Sequence, residues 1–365
     1  MARNYIPKSI EDLAQWYMRY ISPVALVGGF VADNLVLLRR VDLWTSNALL
    51  FFYLSVAALC IVLLNFIELG RLRHAFFLTI VPLIPVVAQF AFGGLFSAFL
   101  SLYSRSAAYA VSWIFVLAIA ALLIGNERFV HLYRRFSFQM AMYFGVLFSF
   151  LIFFLPVVFD QIGPYMFFMS GIVALAIVSI FASALFYYLP ERRSERTRLA
   201  RSIAIVFVVI NILYFSNAIP PLPLALKEAG VYHDVVRTAD GYQLSYEPVP
   251  WYESFLRYNT AFHRAAGERA YVWSAIFAPS GLKTIIFHEW QHYDKSARVW
   301  VTMQVVQFPI EGGRDGGYRG YSARADPESG SWRVNVVTQY RQIIGRVSFT
   351  VVDVSAPAAT EQSVH

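Results

Sequence analysis

The chain has 365 residues, 58% hydrophobic and only 15% charged, against the ~25% charge of an average globular domain. Its formal net charge of +7 falls on residues 1–221, with 16 Lys+Arg against 9 Asp+Glu, whereas residues 222–365 carry 14 of each. That division excludes a nucleic-acid-binding module, which concentrates its excess on one soluble domain. The single cysteine, Cys60, excludes a disulfide framework and a Cys-based metal site.

Residues 1–20 do not read as a secretory signal, because Glu11 and Asp12 interrupt them and no small-residue cleavage site follows. Ser9 to Asp12 resembles a helix N-cap before Leu13, Trp16, Tyr17 and Tyr20, which predicts an amphipathic interfacial helix on the cytoplasmic side. Seven apolar runs of about spanning length follow over residues 21–38, 47–67, 75–102, 107–125, 138–158, 165–189 and 203–219. The first contains Asp33 and Asn34; the third contains Pro82 and Pro85, which predict a kink.

Lys and Arg in the N-terminus and the even-numbered loops number thirteen, against three (Arg39, Arg40 and Arg105) in the odd-numbered loops. Basic loops stay in the cytoplasm, so the N-terminus is cytoplasmic and seven spans put the C-terminal region outside; one span more or fewer would reverse that. Asp33, beside Asn34, is the one ionisable residue well inside a span; a relay carries more such residues, so a structural or helix-boundary role is expected, with a substrate or proton role as the alternative.

Ile219-Pro220-Pro221-Leu222-Pro223 ends the last span. Leu224 to Ala229 predicts a short helix stopping at Gly230, and residues 231–248 predict a hairpin turning at Asp240-Gly241. Residues 220–268 as a whole read as a juxtamembrane linker with that hairpin, aromatic at Trp251, Tyr252, Phe255, Tyr258 and Phe262. From Ala270 the apolar period becomes two. Residues 270–278, 283–292, 297–308, 317–324, 331–338 and 343–354 are strand-like, separated by Gly-, Pro- and Asp-rich turns. Val299, Val301, Met303 and Val305 read as one face, Trp332, Val334 and Val336 as another, and Val347, Phe349 and Val351 as a third. The expected fold is a multi-pass α-helical membrane domain over 21–219, then an all-β antiparallel, Ig-like sandwich over 269–355 and a disordered tail over 356–365.

The order Ala275-Ile276-Phe277-Ala278-Pro279, His288-x-Trp290, Arg319-Gly320-Tyr321-Ser322, Gly330-Ser331-Trp332-Arg333-Val334 and Val347-Ser348-Phe349 resembles a bacterial envelope domain, the domain of unknown function 2914. The resemblance covers roughly the last quarter of the chain; more weakly, Pro23 to Trp44 looks like the N-terminal part of such membrane proteins. It implies a β domain behind membrane spans and brings no activity, and it emphasises His288 and Trp290. The turn Tyr340-Arg341-Gln342 lacks the glycine expected there.

His288-Glu289-Trp290-Gln291-His292 spells H-E-x-x-H, the zinc-peptidase signature. That chemistry needs a helix, where residues i and i+4 reach one ion while the glutamate serves as base. Here Lys283-Thr284-Ile285-Ile286-Phe287 precedes the motif and a turn follows it, which predicts a strand. On a strand the two histidines stand ~13 Å apart, whereas zinc–nitrogen bonds are ~2.1 Å. Glu289 turns to the other face, and the acids that could add a third ligand, Glu311 and Asp315, sit in a glycine-rich loop. The expectation is therefore no metal and no cofactor, with His288 and Trp290 forming a hydrogen-bonded pair in or at the rim of the sandwich. A zinc peptidase using His288, His292 and Glu289 stands as the alternative.

A second candidate site combines Tyr318, Arg319, Tyr321 and Arg324 with Trp300 and Trp332, aromatic faces and guanidinium forks that suit a glycan or an anionic envelope polymer. The competing and stronger reading is structural, with Trp332 in the core beside Val334 and Val336 and the arginines a solvated face. The composite reading is a non-catalytic binding, accessory or scaffold protein of the cell envelope, partnered by the lipid bilayer and by an envelope glycan or other envelope proteins. A small-solute transporter using Asp33 is the third reading.

Overall fold

The computed structural model describes residues 16, 31, 42–106, 109–126, 132, 135–239, 241–248, 260–314 and 316–365, and side chains outside 104–112 and Thr260. The first expected span, the pair Asp33 and Asn34, the interfacial helix, Asp240, Trp251 to Tyr258 and Asp315 lie outside the described residues. The chain divides into two compact units, one running to Ser104 and over Ile114–Ile219, the other comprising Arg105–Trp113 and Pro220–His365.

The helical unit runs through α1 (Trp44–Glu68), α2 (Ala75–Ile80), a 3-10 turn at Val81–Leu83, α3 (Ile84–Ser106), α4 (Tyr109–Gly125), α5 (Phe136–Phe159), α6 (Pro164–Tyr188), a 3-10 stretch at Pro190–Glu195 and α7 (Arg196–Phe215). Five segments are long and apolar enough to cross a membrane: Trp44–Glu68, Ala75–Tyr103, Phe136–Phe159, Pro164–Tyr188 and Pro190–Phe215. Trp113–Gly125 is apolar but shorter. Pro82, which cannot donate a helical hydrogen bond, sits in the 3-10 turn that joins α2 to α3.

Inside this unit Asn65 of α1 donates to Gln139 Oε1 of α5 at 2.8 Å, with both residues buried. A cross-helix hydrogen bond of this kind ties two apolar helices in register. At one end of the bundle Arg192 pairs with Glu68 (2.6 Å) and Glu195 (3.0 Å), Arg71 pairs with Glu191 (3.1 Å), and Ser137 donates to Glu195 (3.1 Å). Those contacts gather the end of α1, the start of α5 and the start of the α7 segment.

The second unit contains β1 (Ala225–Tyr232), β2 (Asp234–Arg237), β3 (Tyr242–Tyr246), β4 (Thr260–Arg264), β5 (Arg269–Phe277), β6 (Lys283–Asp294), β7 (Val299–Glu311), β8 (Tyr318–Ala325), β9 (Gly330–Thr338), β10 (Ile343–Asp353) and β11 (Glu361–Val364). They form three sheets, ordered β1-β5-β8, β4-β10-β9-β6-β7 and β11-β3-β2. Alternate residues of β5 face opposite ways. Ala270 and Val272 pack with Phe262, Trp290, Trp332, Val334, Val347, Phe349 and Val351 of the five-stranded sheet. Trp273 and Ala275 pack instead with Val235 and Leu244 of the third sheet. The β1-β5-β8 sheet is therefore a middle layer covered on both faces.

This corrects the two-sheet, purely antiparallel expectation in four places. Leu224 to Ala229 is not a helix: β1 begins at Ala225 and pairs antiparallel with β5, because cross-strand pairing overrides the helical propensity of Ala-Leu-Lys-Glu-Ala. The aromatic stretch read as linker contributes β4, which pairs parallel to β10 and makes that sheet mixed. Residues 356–365 are not a disordered tail, since β11 pairs with β3. Finally, Val299, Val301, Met303 and Val305 do not share a face. Trp290 pairs with Gln304 and Gln291 with Thr302, so Met303 is the extra residue of a β-bulge. Val299 and Val301 lie opposite Asp294 and His292, whereas Val305 lies opposite Glu289 on the other face.

Candidate functional site

β6 is extended from Lys283 to Asp294, and its even-numbered residues Thr284, Ile286, His288 and Trp290 are buried toward the middle sheet. His288 Nε2 lies 2.9 Å from Ser274 Oγ of β5, and its Nδ1 lies 2.9 Å from Ser322 Oγ of β8. Trp290 Nε1 donates to that same Ser322 Oγ at 2.9 Å. A neutral imidazole satisfies the whole set: Ser322 accepts from Trp290 and donates to Nδ1, while Nε2–H donates to Ser274. Phe308 packs edge-on against the ring, with centroids 4.9 Å apart. Gly320 leaves room for that phenyl, because a Cβ there would stand 2.5 Å from its ring.

Burial drives the His288 pKa down from 6.5 to about 3, so the ring is uncharged at neutral pH. Ser274 and His288 have no solvent exposure, which leaves no path for a substrate to the Ser–His pair. The constellation ties β6 of one sheet to β5 and β8 of another by hydrogen bonds.

The other members of the H-E-x-x-H match diverge. Glu289 points to the opposite face and meets Arg341 at 3.5 Å. His292 lies against the Trp332 ring, with centroids 4.8 Å apart. Glu311 pairs with Lys283 at 2.9 Å. Among the described residues no group of three or more His, Cys, Asp or Glu side chains is placed to hold a metal.

The second candidate group is scattered by the alternation of β8. Tyr318 and Arg324 lie opposite Ile276 and Ala270, on the face toward the five-stranded sheet, where the Arg324 guanidinium sits 5.0 Å above the Trp332 ring. Arg319 and Tyr321 lie opposite Ala275 and Trp273, on the face toward the third sheet, where Tyr321 contacts Tyr242 and Tyr271. Trp332 is core, and Trp300 sits beneath Arg333 at 4.3 Å. No single surface presents all six.

Two polar groupings have no signature in the sequence. In the first, His233 bridges Glu268 (2.5 Å) and Glu247 (2.9 Å), and Glu247 also bonds His263 Nδ1 (2.6 Å) and accepts from the His263 backbone N–H (2.7 Å). Burial pushes the Glu247 carboxyl up, but its hydrogen bonds with His263 and His233 outweigh this and hold it below the usual value. The two nitrogens of His233 serve different carboxylates, so the group is a chain of hydrogen bonds and not a shared cage. In the second, on the five-stranded sheet's face turned away from the middle sheet, Arg333 and Arg346 are each held by a neutral amide. Arg333 Nε donates to Gln291 Oε1 (2.7 Å) and Arg346 Nε to Asn335 Oδ1 (2.6 Å). Cross-strand register assembles the arginine pair and the approach of segments from different sheets assembles the histidine–glutamate chain, and neither is written in local periodicity.

Residues 283–351 match the family described as "Protein of unknown function (DUF2914)", in the region where the sequence resemblance falls. No curated protein matches. Among solved structures, a match covering 86% of this chain is to Pseudomonas fluorescens alkylpurine DNA glycosylase AlkC bound to DNA containing an abasic site analog. It covers 99% of that chain at 10% identity, with a TM-score of 0.22, too low for any statement about fold or function.

Proposed function

We propose that the helical unit anchors this protein in the bacterial inner membrane and holds the β unit on the periplasmic side, as a binding or accessory module of the cell envelope. The observation that carries the non-catalytic reading is the sealed His288 constellation. The most distinctive polar residue of the matched segment is buried, neutral and saturated by Ser274 and Ser322. The five span-length segments support the anchoring. Orientation is supported by the ion pairs that join Glu68, Arg71, Glu191 and Arg192 at one end of the bundle. Arg71, Arg73, Arg135, Arg192 and Arg193 lie in the loops at that end, the side that basic residues mark as cytoplasmic. The α7 segment starts there, so the chain leaves it on the other side. Envelope glycans and envelope proteins are the partner classes that fit the location.

Two measurements test the proposal. Alkaline phosphatase fused after His365 is expected to be active in cells, and a green fluorescent protein at the same place dark; the reverse pair overturns the orientation. The purified protein is expected to hydrolyse no peptide. A peptidase activity accompanied by stoichiometric zinc, and lost in Glu289→Ala, would replace the accessory reading with the zinc-peptidase one.

A further inference from the structure

We infer that Arg333 and Arg346 form a binding site for a phosphoryl group on the face of the five-stranded sheet turned away from the middle layer. Arg346 lies opposite Asn335 and Arg333 opposite Ser348 across the antiparallel β9–β10 pair. The two arginines are therefore diagonal neighbours on one face, within reach of each other's charge.

Each guanidinium is aimed by the protein. Gln291 Oε1 holds Arg333 Nε and also accepts from Asn335 Nδ2 at 3.3 Å, while Gln291 Nε2 donates to Thr302 Oγ1 at 3.0 Å. Asn335 Oδ1 holds Arg346 Nε, and Trp300 packs against the Arg333 plane at 4.3 Å. All these acceptors are neutral. The carboxylate on this face of β6, Glu289, pairs instead with Arg341. Among the described residues no carboxylate forms an ion pair with Arg333 or Arg346, and their terminal NH1 and NH2 groups have no hydrogen-bond acceptor. Burial, and then the neighbouring Arg346 charge, pull Arg333 down to about 10; burial lowers Arg346 as well.

A fold that sets two partly buried cations side by side with their bidentate forks unpaired is complementary to an oxyanion. One fork exhausts the two oxygens of a carboxylate. A phosphoryl group has enough oxygens for both forks and a charge near −2 to offset both cations. The source is either free phosphate or a phosphate monoester. The inference rests on the binding-module reading and adds the ligand's chemistry to it.

The test uses the full-length protein in a neutral detergent, at fixed chloride, titrated with inorganic phosphate and separately with glycerol 3-phosphate. Binding is read by calorimetry and by the unfolding midpoint. Either probe is expected to bind and raise the midpoint: a response to inorganic phosphate identifies a free-anion site, and a response to glycerol 3-phosphate alone identifies an ester site. Arg346→Gln and Arg333→Gln should each weaken binding at least about 10-fold, and Arg333→Lys, which keeps charge but loses the fork, should also weaken it. Without ligand, Arg346→Gln should unfold no lower than the parent, because a like-charge contact is relieved. The inference is overturned if neither probe binds, or if both Gln variants bind as the parent does. A lowered ligand-free midpoint in Arg346→Gln with undiminished phosphate binding would likewise overturn it and make the arginine structural. The assay is indifferent to membrane sidedness, so a null result beside a periplasmic fusion signal removes this inference and leaves the module reading standing.

Discussion

In the helical unit Ile124, Ile180 and Ile212 are 68%, 70% and 62% exposed, while in the β unit Trp273, Trp290 and Trp332 are at most 1% exposed. The same apolar chemistry is spent outward in one unit and inward in the other. An aqueous surface does not tolerate the first pattern repeated along several helices, whereas hydrocarbon chains do. Polar groups invert the relation. In the helical unit a hydrogen bond such as Asn65 to Gln139 joins two otherwise apolar helices, the role such bonds play where apolar burial is weak. The β unit has a buried apolar core and adds His288 to fix how two sheets meet. A substitution of one type should therefore have different consequences in the two units.

The largest expected effect is Trp290→Ala. It empties the centre of the core against Trp332 and Phe349 and strips Ser322 of a donor. A loss of about 3–5 kcal/mol is expected, measured as the unfolding midpoint of the β unit in detergent. A loss below that of a surface change would mean that the core does not depend on this ring.

His288→Asn comes next, at about 2–3 kcal/mol, because Ser274 and Ser322 lose their shared partner. It also makes a prediction about pH. Since the folded pKa lies near 3 and the ordinary value is 6.5, folding disfavours the charged ring. The stability that this provides is complete above 6.5 and is lost as pH falls toward 3, by up to ~1.4 kcal/mol per unit. Denaturation curves between pH 6.5 and 5, above most carboxylate titrations, should slope in the parent and flatten in His288→Asn. Equal slopes would show that His288 is not the titrating group.

Asn65→Leu in the helical unit should cost only about 0.6–1.7 kcal/mol, as cross-helix hydrogen bonds in membranes do. Its readout is the thermal midpoint of the helical unit in lipid nanodiscs. Smallest of all, Ile180→Ala should fall within about 0.5 kcal/mol, the range of surface changes. A core-sized loss there would mean that protein and not lipid covers this residue, which would break the contrast between the units.

The parts of the fold that were legible in the sequence are those set by local period. β5 to β10 were readable because their apolar residues alternate, and the helices because their apolar runs are long. Met303 was not, since a bulge changes facing without changing the letters. The third layer was hidden because the far face of β5, with Tyr271, Trp273 and Ala275, looks the same whether it meets water, lipid or another sheet. The site divides in the same manner. His288 and Trp290 are two apart on one strand, so their shared face was evident. Tyr318 to Arg324 were grouped by proximity in the chain, which a strand undoes by turning neighbours apart. Arg333 meets Arg346 only through register, and His233, Glu247 and His263 meet only where segments of different sheets approach.

The match over residues 283–351 does not coincide with the unit of folding. Cutting the chain at those borders would keep β6 to β10 and discard β1, β4 and β5. With them would go Ser274, Ala270, Val272 and Phe262, exposing Trp290, Trp332 and Phe349 along one sheet face. Such a fragment should aggregate on expression, whereas one beginning at Pro220 retains every layer. For a soluble version of this module, the borders that matter are those of its core.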